Sequence, residues 1–301
     1  MRIAVLGTLG MELRARVERF PRAGETVPAR DLVARPAGSG LVQAAAASRL
    51  GADVAAYGCV GTDPFGGQVL AALSRAGAPS APVGRIPDAP TGAWLVLVDP
   101  EGHRLGTYAP GANGRADEAY VVPHLPGLRD AEVILLDLTL PRGGLTGVLR
   151  GLGPGTTVVA SHPPPQNRLP ISWERIAFVV GTPDELGGQA GPTPEAEAAR
   201  VSHPLLDAGV RNLVVTGGPE GTYLVEPAGV TRFPSHGLSR TNPRAAVDVF
   251  CAALATRLAA GRGLYEAIGY ANAAAALASA AEDVLASLPT PERVLALLTP
   301  G

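Results

Sequence analysis

Short apolar runs alternate with longer stretches of helical periodicity along most of the chain. Residues 2–7, 53–59, 132–138, 156–160, 177–180 and 212–216 are apolar runs of strand length. Helical spacing of apolar positions appears near 40–50, 65–76, 141–150, 193–208, 244–260, 264–282 and 291–298. Continuous apolar strands alternating with helices predict a parallel sheet covered on both faces. Two regions break this rhythm. Residues 11–36 alternate and carry Pro21, Gly24 and Pro28, and residues 81–110 contain the segments APVGRI, TGAWLVLVD and HRLGTYA. Both read as antiparallel, half-exposed strands of a small sheet attached to the main domain. A small sheet over the carboxyl ends of parallel strands is lid-like, at the place where such folds bind ligands.

Composition narrows the chemistry. With 301 residues, 46% of them apolar, and a mean hydropathy of +0.18, the chain can bury a large core as one α/β domain, 1–301, with lid segments at about 11–36 and 81–110. All 25 basic residues are Arg. Without Lys no Walker-type phosphate loop can be written, and Schiff-base chemistry is excluded. A net charge of −2 without a basic run gives no electrostatic case for nucleic acid or a membrane surface. The Ala-rich run 271–281 is too short and too weakly apolar to span a bilayer. The N-terminus passes straight into a strand, MRIAVLG, with no signal-peptide pattern. Cys59 and Cys251 form no disulfide framework and read as buried small hydrophobes, so the cytoplasm is expected. The five His residues, 103, 124, 162, 203 and 236, show no metal-ligand spacing, and no Ser sits in a G-x-S-x-G elbow. Gly7-Thr8-Leu9-Gly10 lacks the third Gly and the ribose-binding acid of a dinucleotide turn, which argues against a dehydrogenase.

The densest chemical signal is TNPRAAVDVFCAALATRLAAGR, residues 241–262. Small residues before an acid at a helix start can leave backbone N–H groups pointing outward, where the helix dipole favours an anion. A carboxylate beside such a hole can take a proton from a hydroxyl while the hole stabilises a moving phosphoryl group. The bland alternative is that Asp248 is only a first-turn acid, contributing ~0.3–1 kcal/mol through the dipole.

This segment resembles the C-terminal signature D-T-x-[GA]-A-G-D-x-F of the ribokinase-like (PfkB-type) carbohydrate kinases. Ala245, Ala246, Asp248 and Phe250 match it, while Asn242, Pro243 and Val247 depart from it. Further segments follow the same family in order. Residues 20–27, FPRAGETV, resemble P-x-x-G-E-T, and 37–44, AGSGLVQA, fall on G-G-K-G-A-N-Q-A. Leu50-Gly51-Ala52, Gly58 to Gly66 and Gly111-Ala112-Asn113 match its R-L-G-A, G-x-V-G-x-D-x-F-G and G-A-N. Asp63-Pro64 is equally a good helix start whatever the function. Ser161-His162-Pro163-Pro164-Pro165 sits at an N-P-A-P turn, and Gly181 to Glu185 at P-N-E-x-E. As a local feature the latter is equally a helix start with Pro at its first position. Val214 to Gly221 resembles V-T-x-G-x-x-G, and Leu288 to Pro291 resembles S-x-P-T.

The resemblance spans essentially the whole chain and implies a three-layer α/β/α sandwich with a mostly parallel central sheet and a small β-sheet lid. It implies ATP-dependent phosphorylation of a hydroxyl on a sugar or related molecule, with Mg²⁺. Asp248 would be the general base, and the N–H groups of Ala245, Ala246 and Val247 the anion hole. Glu12, Gly38, Ser39, Gly40, Val42 and Thr139 fall on the substrate side. Thr182, Thr216, Gly218, Gly221 and Asn272 fall on the nucleotide side, and Glu185 on the metal side, through water. Asn242-Pro243 replaces an Asp-Thr pair that helps bind a monovalent cation, which argues against dependence on that ion. Ser39 and Val42 replace a Lys and an Asn that contact sugar hydroxyls, which argues against ribose itself. At Val247 a β-branched side chain fits only if the backbone there is helical. Three outcomes stay open: a kinase for another sugar, a sugar acid or a nucleoside; a weakened kinase; or a silent sugar- or nucleotide-binding protein of the same fold. Apolar residues of the lid, with Trp94 or its neighbours at the contact, lead to the expectation of a homodimer through the lids.

Overall fold

The computed structural model of the chain describes residues 1–163, 169–188, 194–237, 243–280 and 283–299. The first half contains β1 (Arg2–Leu6), β2 (Gly10–Val17), β3 (Ala29–Ala37), α1 (Ser39–Arg49), β4 (Asp53–Tyr57), β5 (Cys59–Gly61) and α2 (Pro64–Arg75). It continues with β6 (Gly84–Ile86), β7 (Gly92–Val98), β8 (Arg104–Ala109), α3 (Glu118–Arg129), β9 (Val133–Asp137) and α4 (Arg142–Gly151). The second half adds β10 (Thr157–Ser161), β11 (Phe178–Gly181), α5 (Pro194–Asp207), β12 (Asn212–Thr216), β13 (Thr222–Glu226) and β14 (Gly229–Phe233). It closes with α6 (Pro243–Ala259), α7 (Leu264–Ser279), α8 (Val284–Ser287) and α9 (Pro291–Leu298).

An eight-stranded sheet in the order β14-β13-β12-β11-β10-β9-β1-β4 forms the middle layer. Every pairing from β4 to β12 is parallel, and β13 and β14 add an antiparallel edge. The period-2 geometry of each strand divides its side chains between two cores. Ile3, Val5, Leu135 and Val159 pack against α1, α6 and α7 on one face. Ala4, Leu6, Leu136 and Val158 pack with Val121 of α3, Leu145 of α4 and Val201 of α5 on the other. The three layers follow directly from apolar strands that need cover on both faces. Helix α6 is buried through most of its length, with Val249, Phe250, Cys251 and Leu254 all inaccessible. Its sequence is therefore apolar all round rather than striped. Burial pushes the Cys59 thiol up to about 12, and both cysteines are free and buried.

The second sheet has the order β3-β2-β7-β8, which is the expected lid with two corrections. β2 and β7 pair in parallel, so only the β2–β3 and β7–β8 neighbours are antiparallel. The segment APVGRI contributes β6 not to this sheet but to a separate parallel pair with β5. Two elements lie outside the periodicity-based expectations. α3 carries Pro123 and Pro126 inside the helix, which breaks its sequence signature; Asp117 caps it by accepting hydrogen bonds from the N–H groups of Ala119 and Tyr120. The β13–β14 hairpin alternates on too short a scale to be separated from the loops around it.

Two close backbone approaches seat α1 against the end of β1. A Cβ on Gly38, whose φ is +109°, would lie 2.4 Å from the Thr8 carbonyl oxygen, and one on Gly40 would lie 2.8 Å from Gly7. Only glycine permits both contacts, and the Gly40 N–H then donates to the Thr8 carbonyl at 2.9 Å. Asn113 fixes the same loop from the other side: its Oδ1 accepts from Leu9 N–H at 2.8 Å and its Nδ2 donates to Leu9 carbonyl at 2.9 Å. The start of α1, the β1 exit and the lid root are thereby locked at the carboxyl ends of the parallel strands. β1 lies between β4 and β9, so the strand order reverses there, the position at which open α/β sheets form a crevice.

Candidate active site

Two clefts flank the start of α6. The first is lined by Glu12, Ser39, Val42, Trp94, Ala245 and Asp248, among others. The second is lined by Thr216, Gly218, Gly221, Ala246, Asn272 and Ser279, among others. Because the consecutive residues Ala245 and Ala246 border different clefts, the clefts meet at the N-terminal end of one helix. The positive end of its dipole lies between them.

Asp248 is buried, and its Oδ1 carries two hydrogen bonds. Gln43 of α1 donates from Nε2 at 2.8 Å, and His162, just past β10, donates from Nε2 at 3.0 Å. No described residue donates to Oδ2. On its other side the His162 ring donates from Nδ1 to Glu185 Oε1 at 2.6 Å. Only 1% of the His162 side chain is exposed. Burial alone would lower its pKa, but the carboxylates of Asp248 and Glu185 outweigh burial and raise it to about 10. The ring is therefore an imidazolium at neutral pH, bridging two carboxylates. Its backbone is left-handed, φ 53°, the only such non-glycine among the described residues. A conformation that costs on the order of 1–2 kcal/mol is held here by three surrounding elements.

Each carboxylate is anchored in turn. Glu185 Oε2 accepts from Thr182 N–H at 3.0 Å and Thr182 Oγ1 accepts from Glu185 N–H at 3.3 Å, a reciprocal capping box. Gln43 Nε2 also donates to Ser161 Oγ at 2.9 Å. Nearby, the fully buried Asp137 accepts from Thr8 N–H and Oγ1–H and from Thr139 N–H and Oγ1–H, at 2.6–3.1 Å. These bonds fix the β1 and β9 exits beside the site.

The structure brings most of the expected residues together. Asp248, Ala245, Glu12, Gly38, Ser39 and Val42 all line the first cleft; Gly40 is buried and outside its lining. Thr216, Gly218, Gly221 and Asn272 line the second. Asn272 is held by Thr222 Oγ1, which donates to its Oδ1 at 2.8 Å, and by its own Nδ2 bond to the Pro234 carbonyl at 2.8 Å. Three of the expected residues lie elsewhere. Thr139 is exposed and lines neither cleft; its hydroxyl braces Asp137. Thr182 lines neither cleft; its N–H donates to Glu185 Oε2 and its hydroxyl accepts from the Glu185 N–H. Val247 is fully buried in the core. Its backbone is helical, so a β-branched residue fits. With α6 starting at Pro243, the Val247 N–H falls inside the i→i−4 ladder. Glycine at this position would remove a buried side chain as well as adding backbone freedom, a loss of about 2–4 kcal/mol. Asn242 lies outside the described residues.

His162 and Gln43 are the site residues the sequence reading missed. Gln43 lies within the AGSGLVQA motif, so its position was marked but its role was not. His162 gave no spacing signal, because its partners are 23 and 86 residues away.

Comparison with known proteins agrees with this architecture. The sequence model of a family described as "pfkB family carbohydrate kinase" matches residues 1–142 and 156–291. The chain is 27% identical to the ribokinase of Bacillus subtilis over 304 aligned residues, covering 99% of each chain. The solved structure of Arabidopsis thaliana ribokinase complexed with ribose and ATP superposes with a TM-score of 0.87 at 24% identity, covering 99% of each chain. A nucleoside kinase from Methanocaldococcus jannaschii shares the fold, with a TM-score of 0.78 at 18% identity, over 99% of this chain and 97% of its own.

A protonated bridge has a pH signature. A folded-state pKa raised from 6.5 to about 10 contributes stability that is fully present below 6.5 and lost as pH rises through 10. Urea unfolding of the His162→Gln variant should show a loss of about 3–5 kcal/mol at pH 6.5, from two buried carboxylates left without their cation. The gap to the parent should narrow steadily toward pH 10. A gap that stays constant over this range would show that the ring carries no bridging proton.

Proposed function

Since this chain belongs to the pfkB family of carbohydrate kinases, ATP-dependent enzymes, we propose that it transfers the terminal phosphoryl group of ATP to a hydroxyl of a sugar-like molecule in the first cleft. The observation that carries this reading is the Asp248 carboxylate, which lines that cleft with Oδ1 pinned by Gln43 and His162 and Oδ2 uncommitted. A base needs an orientation fixed by neighbours and a lone pair left for the substrate. The substrate hydroxyl would hand its proton to Oδ2 as its oxygen bonds the γ-phosphorus and the bond to ADP breaks. The N-terminal end of α6 between the clefts would stabilise the charge on the moving group. The second cleft, with Thr216, Gly218, Gly221 and Asn272, would seat the nucleotide.

Mg²⁺ would neutralise charge on the triphosphate. Among the described residues, the group close enough to share an ion is Asp99, Glu101 and His103, on the β7–β8 turn and outside both clefts. The residues at the reaction site therefore fit a metal that arrives on the nucleotide and meets Glu185 only through water, not one held in a protein cage. A nucleoside is the second substrate reading. Trp94, stacked on Tyr108 with ring centroids 4.6 Å apart, gives the first cleft an aromatic wall that a base could stack on.

No described helix is long and apolar enough to cross a membrane, and we place the enzyme in the cytoplasm. The lid's second face supports a dimer. Strand register sets Leu13 beside Leu95, and Ala15 beside both Leu32 and Leu97, on the side away from Glu12 and Trp94. Leu32, Leu95 and Leu105 are 71%, 49% and 50% exposed. Trp94 itself belongs to the cleft side, so its neighbours Leu95 and Leu97 form the contact.

Two measurements test this function. Asp248→Asn should still bind ATP in calorimetry but lose roughly 10²–10⁴-fold in turnover; equal turnover would remove Asp248 from the mechanism. Light scattering at micromolar concentration should give a dimeric mass, and a monomeric mass would rule out the lid pairing.

A further inference from the structure

A cavity of about 390 Å³ lies between α1, α2 and α8, apart from both clefts at the start of α6. Small side chains create it. Ala45 of α1 and Ala72 of α2 line it, with Ala76 just past the end of α2, and alanines are too short to fill the groove between two helices. Leu285 and Leu288 complete its apolar wall. Arg49 follows Ala45 by four residues and Arg75 follows Ala72 by three, so helical spacing stands both arginines over the same floor. Among the described residues neither guanidinium enters an ion pair or a side-chain hydrogen bond. Glu292 of α9 lies within electrostatic reach of Arg49, but it is exposed and its carboxylate is engaged with Thr290. Each arginine complements the dipole at the end of its own helix. That role explains a cation at each helix end. It does not explain two cations over one apolar hollow with no carboxylate in its lining.

Helix α8 separates this cavity from the substrate-side cleft. Leu285 lines both, while Val284 lines the cleft and Ala286 the cavity. The single turn is held by its own bonds. Asp283 accepts from the Ala286 N–H at 3.2 Å, and the Ser287 hydroxyl donates to the Asp283 carbonyl at 2.6 Å. Among the described residues no hydrogen bond ties α8 to a neighbouring element, so its position rests on the packing of Val284 and Leu288 into the core. A molecule pressing on Leu285 from the cavity side thus acts on a wall of the cleft. We propose that the cavity is a second binding site, for a small organic anion with an apolar body, and that its occupation reshapes the substrate-side cleft through Leu285. The two guanidiniums, with five donors each, hold a phosphate or carboxylate head at the rim, and the alanine floor takes the apolar body. The site uses none of the charged groups of either cleft, so it stands whichever molecule is phosphorylated.

Calorimetry with phenyl phosphate, benzoate, inorganic phosphate and benzyl alcohol separates head from body. At least one aromatic anion should bind with a Kd of about 1 mM or tighter. It should exceed both inorganic phosphate and benzyl alcohol by about tenfold or more, and the better of the two anions identifies the head group. Arg49→Met and Arg75→Met should each weaken that binding about tenfold, with Arg75→Lys restoring part of it. Both side chains are exposed, and melting temperatures would check that the variants fold. Binding should also change the fluorescence of Trp94 in the substrate-side cleft. The change should vanish in Trp94→Phe and shrink in Leu285→Ala, which should still bind the anion. No binding by the parent, equal binding of all four probes, or binding that survives both arginine replacements would overturn the site. Arginine-dependent binding that leaves Trp94 emission unchanged would overturn the link through Leu285.

Discussion

The buried bridge Asp248–His162–Glu185 is the interaction on which the site depends. It joins three elements: the first turns of α6, the exit of β10 and the exit of β11. Each carboxylate alone would be a costly burial, and the imidazolium alone more so. Together they form a charge-assisted chain in which every proton has a named acceptor. The left-handed backbone of His162 shows that the chain is bent to place this ring. Such strain persists only where the surroundings over-determine it.

From that bridge outward, each layer serves to hold the next. Gln43 ties Asp248 to α1, and α1 is seated by Gly38 and Gly40 against the exit of β1. Asp137 binds the same exit through Thr8. Asn113 then fixes Leu9, at the root of the lid strand that carries Glu12. The Asp248 carboxylate and the lid strand that carries Glu12 are thus linked through buried side-chain hydrogen bonds and close backbone contacts. Preorganisation of this kind is what a phosphoryl transfer needs, since positioning and electrostatics supply most of its catalysis.

Much of this was legible in the sequence because it is local. The core strands and the helices on either side of them follow from apolar period alone, to within a residue or two at most boundaries. The motifs around Gly38, Thr216 and Asp248 located both clefts, because small residues at strand exits carry a steric meaning independent of context. What sequence could not supply is tertiary. His162 looked like an ordinary turn residue, since the two carboxylates that accept its N–H bonds are distant in the chain. Thr182 and Thr139 sat at positions suited to ligand contact, yet the Thr139 hydroxyl donates to the Asp137 carboxylate and the Thr182 hydroxyl accepts from the Glu185 backbone N–H. The parallel pairing of β2 with β7 was invisible too, because strand alternation reveals which residues share a face but not which strand lies alongside. α3 was hidden by its prolines, although its Asp117 cap was a readable start signal.

The protonation state of His162 tests the bridge most directly. Nitrogen-15 NMR of the histidine-labelled enzyme, with His162 assigned by comparison with a His162 variant, reads both ring nitrogens through pH. Both should carry protons at pH 7 and still do so at pH 9, with the ring titrating near 10. A neutral ring at pH 7, protonated on one nitrogen only, would contradict a cation shared between Asp248 and Glu185.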